Sequence, residues 1–322
     1  MNLNPANQAS LRVAVLMGGN SAEAEISRTS AAQIEQALTS KGHQARTIEL
    51  NPQCAATLMR WSPDVVFPAL HGPPGEDGTV QGFLEIMGLP YVGSGVLGSA
   101  IAMDKAIAKQ IFRQHHLPVT QDFVISGSAP DLAVIVKKIS ERFGTKVVIK
   151  PLNQGSAIGV TPMPEGGDMT SALRQALTYG GCLVEPFIRG KEITVGVLAV
   201  GERLLAHPVI EIQTPDQQWY NFNNRYTPGS SLHIMPAGLP AELLERLQDI
   251  AVSAHQQLGL SDLSRADFIV SPAGEITLLE VNSLPGMTPT SLYPEGAAAI
   301  GYPFERLIDH LVRQAVLRGP RR

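Results

Sequence analysis

Two short stretches near the end of the chain constrain the fold more than anything else in it. Arg265-Ala-Asp-Phe-Ile-Val270 and Leu279-Glu-Val-Asn-Ser-Leu-Pro-Gly-Met287 read as β-strands joined by a turn at Ser271-Pro-Ala-Gly274. Alternate strand residues share a face, so Glu280 and Asn282 point one way and Val281 the other. A hairpin loop with an even number of residues then puts Arg265 and Asp267 on the same face. Two carboxylates, an amide oxygen and a guanidinium converge there. Hard oxygen donors of this kind suit Mg²⁺, which keeps some waters and takes phosphate oxygens as well. The alternative is a hairpin with a merely solvated polar face. Apolar flanks at 268–270 and 276–279 argue instead for strands covered on both faces. The hairpin points to phosphoryl chemistry.

At 322 residues the chain is long enough for two or three domains. A composition of 44% hydrophobic and 17% charged residues is that of a globular enzyme. The formal net charge of -4 gives no support for nucleic acid as a partner. Cys54 and Cys182 form neither a metal spacing nor a disulfide framework, which suits a reducing cytoplasm. The polar start, with Pro5, is not a signal peptide, and no apolar run reaches membrane-spanning length. The basic end, Arg318-Gly-Pro-Arg-Arg322, reads as a frayed tail.

The first third has βαβ grammar. An apolar strand over 11–17 runs into Gly18-Gly19, and Ser21 is placed to cap a helix over 22–40, with Glu23 in its first turn. Strands over 45–50 and 64–70 follow, with a weak helix between, and imply a parallel sheet whose loops gather at the carboxyl ends. The third strand leads to His71-Gly-Pro-Pro-Gly-Glu-Asp-Gly78 and a helix over 79–87. A helix over 99–116, a helix over 131–143 and strands over 146–150 and 182–188 make a small α+β unit. The last section opens with long strands over 192–200 and 204–212, then a polar, aromatic stretch at 213–231 resembling a lid. Helices over 240–258 and 302–317 flank the acidic hairpin. The organisation expected is 1–98, 99–188 and 189–322.

Several motifs carry chemistry, each with a bland alternative. Gly18-Gly19 lacks the G-x-G-x-x-G spacing, and only Glu49 could serve a ribose, so dinucleotide binding is disfavoured. His71 lies where ligands bind in parallel sheets, inside a loop stiffened by glycine and proline. Lys150 ends the apolar run Val147-Val-Ile149, and just beyond it Gln154-Gly-Ser-Ala-Ile-Gly159 can wrap backbone N–H groups around phosphate oxygens. No Gly-Lys-Ser/Thr occurs, so this is not a Walker loop. In Glu185-Pro-Phe-Ile188 an aromatic could stack on adenine and Glu192 could take ribose hydroxyls; an ordinary linker is the alternative.

Taken in order, these residues resemble the ATP-grasp superfamily, and within it the D-alanine–D-alanine ligase family. The matching stretches are Gly18-Gly-Asn-Ser-Ala-Glu23, His71 to Gly78, Met103-Asp-Lys105, Val148-Ile-Lys-Pro151 with Gly155-Ser156, Arg225-Tyr226, Arg265-Ala-Asp267 and Glu280 to Thr288. They span about residues 11 to 310.

The resemblance implies an α/β, three-domain ATP-grasp architecture: an N-terminal parallel-sheet βαβ domain, a small central α+β domain and a C-terminal α+β domain with an antiparallel sheet. ATP would lie between the last two, its adenine near Glu185, Phe187 and Ile188 and its ribose on Glu192. Lys105, Lys150 and Arg225 would meet phosphates under the Gly155-Ser156 loop. Asp267, Glu280 and Asn282 would hold two Mg²⁺ or Mn²⁺. Glu23 and His71 would take the first of two D-alanines, and Glu23, Ser156 and Tyr226 would tie the lid down. Arg265 and the Gly286 backbone N–H would stabilise an oxyanion, and Ser291 and Leu292 would hold the second D-alanine. The resemblance also implies a homodimer acting in the cytoplasm, with no nucleic acid or membrane partner, and Tyr226 implies an amine rather than a hydroxyl as second nucleophile. Two departures stand out: Arg225 where the family carries Lys, and Ala157 where a second serine is common.

Overall fold

The structure is a computed structural model, which describes residues 9–126, 131–214, 229–289 and 291–321. Its first sheet is parallel, with strand order β2-β1-β3: β1 is Arg12–Met17, β2 Gln44–Glu49 and β3 Val65–Pro68. Val13, Ala14, Val15 and Leu16 are all fully buried because both faces of β1 are covered. Val13 and Val15 meet α1 (Ala24–Ser40) and the C-terminal helix; Ala14 and Leu16 meet α2 (Cys54–Trp61) and α3 (Thr79–Ile86).

The first helix begins two residues later than its serine suggests. Ser21 Oγ accepts the Glu23 N–H at 3.2 Å and makes a local turn, and Glu23 occupies the N-cap with its side chain directed elsewhere. The two glycines before it are needed. A Cβ on Gly18, at φ +72°, would sit 1.9 Å from a Glu49 oxygen. Glu49 holds this turn through the Gly19 N–H and pairs with Arg28.

The single helix expected over 99–116 is two helices, α4 (Val96–Met103) and α5 (Lys105–Gln114). Asp104 breaks it. Its backbone is extended, and its carboxylate accepts the Ala106 and Ile107 N–H groups at 3.0 Å, a better N-cap than a mid-helix residue. The break turns Lys105 and Lys109, one turn apart on α5, toward the middle of the molecule.

The second sheet is antiparallel, in order β4-β7-β5-β6: β4 is Phe123–Ile125, β5 Val147–Pro151, β6 Thr161–Met163 and β7 Cys182–Pro186. Helices α6 (Leu132–Phe143) and α7 (Met169–Leu177), capped by Asp131 and Asp168, pack on one face through Ile139, Val147, Ile149, Leu173 and Val184. Alternation sends Lys150 and Glu185 to the other face.

The third sheet contains β8 (Lys191–Val200), β9 (Arg203–Ala206), β10 (Ile210–Gln213), β11 (Leu232–Ile234), β12 (Leu263–Val270) and β13 (Ile276–Asn282), in order β11-β10-β8-β12-β13 with β9 also on β8. The strand expected over 204–212 is interrupted at His207-Pro208, because proline gives the ladder no N–H. The buried His207 ring then wedges against Gly196 and Gly296, and its nitrogens have no hydrogen-bond partner among the described residues. Helix α8 (Ala241–Gln257) covers one face of the sheet through Leu247 and Ala251 against Val195, Val197 and Ala266. Helices α9 (Leu292–Ala299) and α10 (Phe304–Arg318) follow.

The basic end is not a frayed tail. Arg318 pairs with Asp262 and donates to the Tyr91 carbonyl at 2.6 Å, and Arg321 donates to the Gly93 carbonyl at 2.7 Å. Both cysteines are buried and free, and no described helix is long and apolar enough to cross a membrane.

Candidate active site

The acidic hairpin has the expected facing pairs, reached by a different turn. Arg265 pairs with Asn282 and Asp267 with Glu280, but Val270 pairs with Ile276, so the loop is 271–275, an odd length. An odd loop alone would have put Leu279 opposite Asp267. A β-bulge between Asp267 and Phe268 takes up Leu279 as the extra residue and restores the pairing. The flanks are not covered on both faces either: Ala266, Phe268 and Val270 are buried against α8, whereas Arg265, Asp267 and Ile269 line a cleft.

Within the hairpin the charges are already matched. Arg265 makes two bonds to Asp267, of 2.9 and 2.8 Å, the Thr194 hydroxyl donates to Asp267 at 2.6 Å and the Asn282 amide at 3.1 Å. Glu280 meets Lys105 at 3.1 Å, and Lys105 also donates to the Gln154 carbonyl of the glycine loop at 2.7 Å. The break at Asp104 therefore joins α5, the loop and the hairpin at one point.

Across the cleft, Lys150 on β5 and Glu185 on β7 lie diagonally on one face, since Val148 pairs with Glu185. Lys150 contacts Glu185 Oε1 at 2.6 Å, and Lys109 contacts Oε2 at 2.5 Å. Thr120 bridges them, accepting from Lys109 at 2.7 Å and donating to Glu185 at 2.9 Å. Burial alone would raise the Glu185 pKa, but Lys150 and Lys109 outweigh it and hold the carboxyl down at about 2. Lys109 is itself lowered, first by burial, with Glu185 opposing the shift. Neither Lys109 nor Thr120 was singled out from the sequence. The available signal was the four-residue step from Lys105 to Lys109.

A third cluster lies where the first sheet's loops meet the glycine loop. The buried Glu23 accepts a hydrogen bond from Ser156, so the first and second sheets touch through predicted site residues. Ser156 and Ala157 both have left-handed backbones, at φ +48° and +59°, an unusual pair for residues with side chains. A Cβ on Gly155 would lie 3.6 Å from a Glu23 oxygen and 3.7 Å from a Glu76 oxygen, so two carboxylates converge over this glycine. Burial, then Glu23, pushes Glu76 up to about 8, against the Gly72 N–H that it accepts. His71 is buried 3.3 Å from the Ser30 hydroxyl, and burial lowers its pKa. Glu76 was part of the quoted motif but received no role; its proximity to Glu23 needs the folded loop.

Ser291, at the N-cap of α9, accepts the Thr288 N–H at 3.2 Å and lies 2.7 Å from the Thr288 hydroxyl. It fixes the turn that carries Gly286, where a Cβ would stand 3.4 Å from Ser291 Oγ. The cleft between the second and third sheets has a volume of about 1350 Å³. Its walls bring together Lys105, Lys150, Glu185, Phe187, Ile188, Glu192, Arg265, Asp267, Glu280 and Leu292. Arg225, Tyr226 and most of the expected lid lie outside the described residues.

Two lysines on one wall, carboxylates and an arginine on the other, and a glycine loop between them form a site that suits a polyanion. Comparison with known proteins decides the family. The family described as D-ala D-ala ligase C-terminus matches residues 111–313, and that described as D-ala D-ala ligase N-terminus matches residues 52–94. The chain belongs to the D-alanine–D-alanine ligase family. It is 43% identical over 309 residues to the D-alanine--D-alanine ligase of Geotalea uraniireducens, covering 95% of this chain and 96% of that one. Among solved structures it is similar to the D-alanine--D-alanine ligase of Bacillus anthracis complexed with ATP (TM-score 0.80, 30% identity, 96% and 98% of the two chains). It is also similar to the VanG D-Ala:D-Ser ligase of Enterococcus faecalis (TM-score 0.80, 29% identity, 95% and 100% covered). Both solved structures, one named for D-alanine--D-alanine and the other for D-Ala:D-Ser ligation, are thus similar to this chain over nearly its whole length.

Proposed function

We propose that the chain uses ATP to join two D-alanine molecules into D-alanyl-D-alanine, releasing ADP and phosphate, for peptidoglycan precursor synthesis. The observation that carries this reading is the meeting of Lys105, Glu280 and the glycine loop at one point of a cleft lined by Lys150 and Arg265. ATP would lie with its adenine by Glu185, Phe187 and Ile188, its ribose at Glu192 and its phosphates at Lys105 and Lys150. The first D-alanine would place its ammonium at Glu23, near His71, and its carboxylate toward Arg265. One carboxylate oxygen attacks the γ-phosphorus and ADP leaves, giving an acyl phosphate. The amine of the second D-alanine, set by Ser291 and Leu292, then attacks the acyl carbon. The C–O bond to phosphate breaks, and the departing phosphate carries away the proton that the amine loses.

Arg265 and the Gly286 N–H are the groups for the oxyanion of the second step, and loss of one such donor typically costs roughly 3 kcal/mol of barrier. Glu23, Ser156 and Tyr226 would couple the first domain to the lid, and Arg225 would add a phosphate contact from it. Closure matters because water destroys an acyl phosphate. Asp267, Glu280 and Asn282 fit Mg²⁺ or Mn²⁺: their oxygens are hard donors on one face, and two carboxylates with an amide leave positions for phosphate oxygens. Such ions supply positive charge where two anions must approach. A cytoplasmic homodimer, divided at 98/99 and 188/189, completes the reading.

The test is phosphate release with D-alanine, L-alanine, D-serine and D-lactate as candidate second substrates, for the wild type and Glu280→Gln. Turnover confined to D-alanine and lost on substitution is expected. Preferred ester formation with D-lactate, or full activity in the variant, would refute it.

A further inference from the structure

Lys109 has no part in the chemistry set out above, yet it is the most deeply buried lysine among the described residues, 1% exposed. A lysine reaches such a position only with partners, and this one has Thr120 at 2.7 Å and Glu185 at 2.5 Å. Glu185 in turn meets Lys150 at 2.6 Å. Two lysines against one carboxylate leave one positive charge. The neighbouring pair Asp122–Arg113, at 2.6 Å, is neutral as a unit, although Asp122 also approaches Lys109 at 3.9 Å.

We propose that Lys109 is a positioning residue of the nucleotide site: by neutralising Glu185 from behind, it leaves the charge of Lys150 available to the phosphates of ATP. The proposal rests on the placement of those phosphates at Lys150 given above. Glu185 is the hinge of the arrangement. With Lys109 present, Lys150 is one of two cations on a single carboxylate, and its ammonium keeps attraction to spare for a polyphosphate. With Lys109 removed, Glu185 and Lys150 form a closed, neutral pair, and pulling Lys150 toward a phosphate would strip a buried carboxylate of its remaining lysine. Thr120 fixes the geometry by bonding both Lys109 and Glu185. The spacing of Lys105 and Lys109 on α5 means that one helix delivers a cation to Glu280 on one wall and a cation to Glu185 on the other.

The charge count gives an ordering that a merely structural lysine would not produce. Lys109→Met has a net charge of zero on the triad, and Lys109→Met with Glu185→Gln restores one positive charge, now on Lys150 alone. Expected for Lys109→Met is a KM for ATP raised roughly ten- to a hundredfold, the same loss in inhibition by inorganic tripolyphosphate, and KM for both D-alanines within about twofold of wild type. The double variant should recover tripolyphosphate inhibition to within about tenfold of wild type. A folded Lys109→Met with unchanged KM for ATP overturns the proposal, as does a double variant that binds tripolyphosphate no better than the single one. Should Lys109→Met not fold, the double variant alone decides, and a loss beyond about tenfold counts against the proposal. Lys150→Met separates the two readings. If it leaves ATP binding intact, the phosphates are not at Lys150; if it weakens binding while Lys109→Met does not, only the role of Lys109 fails.

Discussion

In the wall of the cleft a carboxylate sits between two lysines; where the first sheet's loops meet the glycine loop, two carboxylates sit together over a glycine. Glu185 and Glu76 are the same side chain with opposite fates. Burial raises the pKa of both, but Lys150 and Lys109 pull Glu185 down to about 2, whereas Glu23 helps push Glu76 up to about 8. Glu185 is the carboxylate whose two lysines favour its ionised form, and Glu76 the one whose burial and carboxylate neighbour favour its protonated form. On the function proposed above, the nucleotide wall would be organised before ATP arrives, and the amino-acid wall would wait for its ligand's charge.

The largest test of this contrast is Glu185→Gln, which leaves Lys109 and Lys150 facing each other without their shared anion. Breaking a buried pair by removing one partner costs about 3–5 kcal/mol, read as a lower urea midpoint. Because the folded pKa of Glu185 lies below its ordinary value of 4.5, its contribution is present above about pH 4.5 and is lost as pH falls toward about 2. The deficit of the variant should therefore shrink in acid. A deficit that does not change with pH would mean that the lysines do not set the state of Glu185.

Glu76→Gln should act with the opposite sign. The folded pKa of Glu76 is raised, so its contribution is complete below about pH 4.5 and is lost as pH climbs through about 8. The amide removes that penalty: the variant should match wild type near pH 4.5 and melt several degrees higher at pH 8.5, by thermal scans in the absence of substrate. Equal melting at both values would place Glu76 among ordinary solvated carboxylates. The smallest effect belongs to Ser156→Ala, which removes one donor from Glu23. About 1 kcal/mol of stability should go, and KM for the first D-alanine should rise severalfold with KM for ATP unchanged. A larger effect on ATP than on D-alanine would move Ser156 from the amino-acid wall to the nucleotide wall.

Much of this contrast could be read from the chain, and the remainder could not for reasons of distance. Period-two alternation put Arg265, Asp267, Glu280 and Asn282 on one face, although the loop is odd and the face is rescued by the bulge at Leu279. A local pattern fixes which residues share a face, but a loop length decided by backbone hydrogen bonds at Ser271 and Glu275 is not written in residue types. The resemblance implies that Glu185 lies at the adenine with Phe187 and Ile188. That its carboxylate also lies among lysines follows from the pairing of β5 with β7 and from the kink at Asp104, both of which bring together segments far apart in sequence. Asp104 was legible as a cap in principle, yet apolar periodicity ran through it and suggested one helix. Glu76 shows the same limit: its neighbour Glu23 is set by another strand's loop.

The end of the chain has a practical bearing. Arg318 and Arg321 clasp Asp262 and the carbonyls of Tyr91 and Gly93, and Asp262 also takes the Gly93 N–H at 2.8 Å, so the last turn of α10 seals a joint between the first and third sheets. Replacing Arg318 and Arg321 with uncharged residues would work loose a seam whose far side begins one helix away from Lys105.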